Sequence, residues 1–128
     1  RGGGGGGSGS PGRSGTFDRY LSTPPPTTGE DVWQEITTEE GVLVGTRRKG
    51  SGVNVHALPD DLAHAHAYYE RLRSSGVDVT PADYPAGGSL TELPDGTRIG
   101  FRPASSSGPP TLDFKIPERG QFKLKFKG

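Results

Sequence analysis

The sequence predicts an α+β fold in which an N-terminal helical part packs on a C-terminal antiparallel β-sheet of about four strands. Three observations carry this. Thr111–Ile116 and Gln121–Lys127 alternate apolar and polar side chains strictly, the period of a half-buried strand. Leu62, Ala65, Tyr69 and Leu72 recur at helical spacing and make one apolar stripe. Between them, Leu93-Pro94-Asp95-Gly96-Thr97 is a turn signal joining two short runs, Ser89–Leu93 and Thr97–Arg102, into a hairpin.

The chain has 128 residues, of which 28% are hydrophobic, with 22 Gly and 12 Pro. A typical globular chain is roughly 45–50% apolar with glycine included, so only part of this one is expected to build a core. Residues 1–29 read as a flexible Gly/Ser/Pro-rich linker, and residues 30–128 as a single domain. Gly2–Gly7 is a coil-forming run, and Pro24–Pro26 is a short stiff polyproline stretch. Phe17, Tyr20 and Leu21 are too few to form a core alone, which leaves docking on the domain open.

Val32, Trp33 and Ile36 recur at helical spacing and suggest a short helix or turn. Val42–Val44 and Val53–Val55 are β-branched pairs flanking a turn from Gly45 to Gly52, and read as two short strands. The clearest helix runs from about Asp60 to Ser74. Pro59, Asp60 and Asp61 suit its positive end, Arg71 and Arg73 its last turn, and Gly76 can end it. In the strands, Ile99, Phe101, Leu112, Phe114, Ile116, Phe122, Leu124 and Phe126 point one way, toward the helix. Arg98, Arg102, Thr111, Asp113, Lys115, Gln121, Lys123, Lys125 and Lys127 point the other.

Formal net charge is zero, from 15 basic and 15 acidic side chains, but the charges are segregated. Charges between Glu30 and Glu40 are all acidic. From Arg98 onward seven basic residues stand against Asp113 and Glu118, a net of +5. Arg102, Thr111, Lys115 and Lys123 are expected to converge near the middle of one face, beside the Ser105–Gly108 loop. Gathering like charges is unfavourable unless an anion offsets them, and a phosphate backbone is the commonest such partner. Asp113 could equally neutralise two of them, and Lys125 and Lys127 also suit an edge strand that uses lysine against aggregation.

No Cys is present, so disulfides, thiolate metal sites and cysteine catalysis are excluded. The three histidines lack metal-pair spacing, and no metal or cofactor is expected. His64 is expected to be solvated. His56, at the end of a strand, and His66, near the apolar stripe, are the candidate acid or base, with His56 preferred. No apolar run approaches the ~18–20 residues of a membrane span. A metal-free RNA cleavage would need one such histidine, two or three cations and a hydroxyl donor such as Thr111.

The order of elements, with Leu93–Pro103, Ser105–Phe114 and Phe122–Phe126, resembles the barnase–EndoU–colicin–RelE superfamily of metal-independent RNases. In particular it resembles the toxin tips of bacterial polymorphic and contact-dependent inhibition systems. The resemblance covers roughly the last 40 residues. It implies that Arg102, Thr111 and Lys123 contact the phosphate or the transition state, with a histidine, His56 or His66, as acid or base. Arg98, Lys115, Lys125 and Ser105 are expected to be the flanking substrate-binding residues. The resemblance also implies RNA as substrate, tRNA above all, and a dedicated, acidic immunity protein as partner. Such tips end very large secreted proteins and act in the target-cell cytoplasm. A chain that opens at Arg1 and has no Met is expected to be a C-terminal piece of this kind. The other readings are a non-catalytic module binding nucleic acid or an acidic protein, or a toxin of different chemistry, an NAD hydrolase or a DNase.

Overall fold

Strand pairing places the last described strand inside its sheet, not at an edge. The computed structural model describes residues 15–48, 54–104 and 108–127. In chain order the elements are α1 (Gly29–Glu35), β1 (Thr46–Arg47), β2 (Asn54–Leu58), α2 (Leu62–Arg73), β3 (Val77–Asp78), β4 (Ser89–Glu92), β5 (Arg98–Arg102), β6 (Thr111–Ile116) and β7 (Gly120–Phe126). A 3-10 turn, Asp18–Tyr20, precedes them. The strands form one sheet in the order β1-β2-β7-β6-β5-β4-β3. Every neighbouring pair is antiparallel except β2 and β7, which run parallel from Asn54↔Phe122 to Leu58↔Phe126.

This corrects the expected sheet of about four antiparallel strands: among the described residues the sheet has seven and is mixed, although the fold remains α+β in the broad sense. The reasons are local. β1 and β3 are two residues each, too short to carry any alternation. β2 sits between β1 and β7, and with Val55, His56 and Leu58 all buried its residues show no clean apolar–polar alternation. Its parallel partner lies more than sixty residues away, a choice that no local pattern encodes. Of the Val42–Val44 stretch, Leu43 makes only an isolated bridge with Thr37, and Val53 lies outside the described residues.

Burial follows the alternation where it exists. Ile99, Phe101, Leu112, Phe114, Ile116, Phe122, Leu124 and Phe126 are all buried. α2 packs over β5 and β6, and α1 over β6. Asp61 caps α2, its carboxylate accepting from the His64 amide at 3.0 Å, and the Thr28 hydroxyl caps α1 by accepting from the Asp31 amide at 3.1 Å.

The buried face of α2 is Ala65, Tyr68, Tyr69, Arg71 and Leu72, while Leu62 at the head of the expected stripe is exposed. Tyr68 and Arg71 are covered because residues 15–28 pack on them. The Phe17 ring stacks on Tyr68 with centroids 3.9 Å apart, and the Thr16 hydroxyl donates to Asp60 at 2.6 Å. Arg71 donates to the carbonyls of Thr23 and Pro24 at 2.6 and 2.9 Å and pairs with Glu35, which also accepts from the Tyr68 hydroxyl at 2.6 Å. Half of the segment read as linker is thus part of the packed body. No helix among the described residues is long and apolar enough to cross a membrane.

Candidate anion site on the open face

Antiparallel register sets this site. Arg102 lies opposite Thr111, and Thr111 opposite Lys125; one pleat along, Gly100 lies opposite Asp113, and Asp113 opposite Lys123. These residues therefore share the face that carries no helix.

Asp113 is the hub. It accepts from Arg102 Nε at 2.9 Å and Nη2 at 3.1 Å, a two-pronged pairing, and from Lys123 Nζ at 2.7 Å. Lys125 Nζ lies 3.4 Å from Thr111 Oγ1. Thr111 itself is fully buried and donates to the Pro109 carbonyl at 3.2 Å. The Lys125 ammonium is held below the usual lysine range. Loss of solvent is the main cause, the positive charges of Arg102, Arg48 and Lys123 add to it, and Asp113 opposes them.

Arg98 and Lys115 face each other across β5 and β6 on the same side, and Arg98 reaches Glu92 at 3.8 Å. A cleft of about 440 Å³ runs between these groups and Tyr84, with Arg98, Arg102, Lys115 and Lys123 along its polar side and Tyr84, Pro85 and Leu90 along its apolar side. Ser105 lies outside the described residues.

The histidines are elsewhere. His56 is in register with Leu124, so its ring points to the helix side of the sheet, where it is buried with Nδ1 3.0 Å from the Val44 carbonyl oxygen. His66 is exposed on α2, 3.5 Å from Glu70, its ring edge-on to core residue Phe101. The sheet separates both from Arg102, Lys123 and Lys125. His64 bonds Asp61 at 2.7 Å through Nδ1.

Three contributors were not singled out from sequence: Arg48, Tyr84 and Gly100. Arg48 and Tyr84 carry no pattern. Gly100 does, because a glycine inside an alternating strand marks a close approach. A Cβ at Gly100 would collide with the Tyr84 hydroxyl, and one at Gly88 would press on the Tyr84 ring. The ring therefore lies on a saddle that two missing side chains create. Burial, and the nearby Asp113 charge, push the Tyr84 phenol up to about 12, so it keeps its proton beside the cations.

The chain matches no protein-family model, no curated protein and no solved structure.

Proposed function

We propose that the open face binds the phosphate backbone of RNA and that the chain is a metal-independent endoribonuclease. The observation that carries this reading is the cluster on β5–β7: Arg102 and Lys123 converge on Asp113, and Lys125, its proton affinity lowered chiefly by loss of solvent, stands one pleat along beside Thr111. Such a lysine is both a phosphate contact and a base. The Lys125 amine takes the proton of a ribose 2′-hydroxyl, and that oxygen attacks the adjacent phosphorus. The bond from phosphorus to the 5′-oxygen breaks, and the Lys123 ammonium supplies the proton to the departing oxygen. Arg102 meets the charge on the equatorial oxygens, oriented for this by Asp113. The products are a 2′,3′-cyclic phosphate and a 5′-hydroxyl. The toxin role, the tRNA target and an acidic immunity protein covering this face belong to the same proposal and rest on the family resemblance.

A second reading is favoured by the position of His56 and His66 across the sheet: the face binds RNA without turnover. Incubating the protein with total tRNA in EDTA and separating the products on a denaturing gel distinguishes the two. Discrete fragments with cyclic-phosphate ends are expected, falling about 10²–10³-fold in Arg102→Ala and in Lys125→Met. Intact RNA that is bound in a salt-sensitive way leaves the second reading. RNA neither bound nor cut removes both.

A further inference from the structure

The open face carries a feature that phosphate binding does not use. Charged strand faces are ordinarily open to water, yet here Tyr84 lies across the sheet on Gly88 and Gly100. Its hydroxyl end feels Asp113 and Arg102. Pro85 and Leu90 extend the apolar surface beside it, and the cleft of about 440 Å³ opens between this wall and the Arg102–Lys123 side. One side is aromatic and apolar and the other cationic, within a single cleft. A nucleotide has the same division, a flat π-surface on one side and a phosphate on the other.

We infer that the Tyr84 wall is a nucleobase subsite, and that the substrate class of this face is single-stranded RNA with an unpaired base stacked on Tyr84. The inference rests on the RNA reading above and narrows it. In a duplex the bases are stacked on one another and present only their edges, so a ring lying on a sheet cannot engage them. In a loop or a free strand the base turns out, and stacking on an aromatic side chain supplies affinity largely independent of sequence. The carboxylate of Asp113, at the foot of the wall, is an acceptor for an exocyclic amine of the bound base. Tyr84 acts here as a specificity-determining residue. Its glycine bed fixes the ring before the ligand arrives, which spares the entropy of ordering it.

The test compares two short 2′-O-methyl oligoribonucleotides, which cannot be cut because the nucleophilic hydroxyl is blocked. One bears bases throughout, and the other has the same backbone with abasic positions. Binding is followed by fluorescence anisotropy at two salt concentrations. The native protein should bind the base-bearing strand about ten-fold more tightly than the abasic one. Tyr84→Leu should bring that ratio close to one while leaving abasic affinity where it was, and Tyr84→Phe should keep the ratio. Equal, salt-sensitive binding of both strands to the native protein overturns the subsite and leaves the phosphate reading intact. A ratio preserved in Tyr84→Leu also overturns it. If neither strand binds, the RNA reading falls and the subsite with it. Should Tyr84→Leu fail to fold, the ratio in the native protein decides.

Discussion

The two faces of the sheet handle charge in opposite ways. On the helix side Arg71 and Glu35 are almost wholly buried, with side-chain exposures of 6% and 12%, and their polar atoms are matched by Tyr68 and by the carbonyls of Thr23 and Pro24. On the open side Arg102 and Lys123 share one carboxylate, and Lys125 sits in the field of three cations. Satisfied charge is structural and makes the chain upstream of α1 a strap across α2. Charge that stays partly exposed, as in Arg102 and Lys123 at 19% and 35% of their side chains, is what a ligand can reach. A chain with no net charge can still present a cationic patch, because the α1 acids are answered elsewhere: Glu35 pairs with Arg71, and Glu30 with Arg119 at 2.7 Å in the turn before β7.

The largest effects are expected at the strap. Arg71→Ala leaves Glu35 buried without its cation and two carbonyls without donors, and should cost about 3–5 kcal/mol. Phe17→Ala removes the ring stacked on Tyr68 and should cost about 3–5 kcal/mol. Urea denaturation should show both losses, while the RNA affinity of the folded fraction stays as in the native protein. A change in urea midpoint of the size seen for ordinary surface substitutions would show that residues 15–28 are not part of the folded unit.

The strap was hard to read from sequence for a physical reason. Phe17, Tyr20 and Leu21 stand in a Gly/Pro/Thr-rich stretch without period, and docking of such a segment depends on Tyr68 and Arg71, which the helical stripe did not include. The alternation in β6 and β7 was legible because each strand has one apolar and one wet face. β2 was legible only in part: the Val53–Val55 run marks its start, but Val55, His56 and Leu58 are buried without a clean alternation and its partner is remote. At the site, the charge cluster of Arg102, Lys123 and Asp113 followed from alternation alone. The histidines did not, because a helix or strand position says little about which side of a sheet a ring will occupy.

A smaller effect is expected at Asp113. Its partners are partly exposed, so Asp113→Asn should change stability by about 1 kcal/mol or less. Arg102 and Lys123 would then lose their shared counter-charge, and affinity for an uncleavable RNA strand should rise a few-fold at low salt, with the gain fading as salt is added. Cleavage should nevertheless fall, because the guanidinium loses the carboxylate that orients it. Unchanged affinity would mean that ligand phosphates do not approach Arg102 or Lys123.

The smallest expected effect is a pH difference between two phenols. Tyr68, on the helix side, is raised well above the ordinary tyrosine range by burial and by the Glu35 charge. Tyr84, on the open side, is raised from 10.0 to about 12, chiefly by burial. A phenol whose pKa is higher folded than unfolded binds more protons in the native state at alkaline pH. Its stabilising contribution is complete below about pH 10 and is lost as pH climbs through about 12. The difference in ultraviolet absorbance between the native protein and Tyr84→Phe should therefore show one phenol ionising reversibly near pH 12 in the folded protein. The corresponding difference for Tyr68→Phe should appear only once the chain unfolds. Adding an uncleavable RNA strand should delay the Tyr84 step further, since phosphate charge and a stacked base both disfavour phenolate. A Tyr84 step at the ordinary value, indifferent to RNA, would place that ring in open solvent and remove the distinction between a wall of the cleft and a surface side chain.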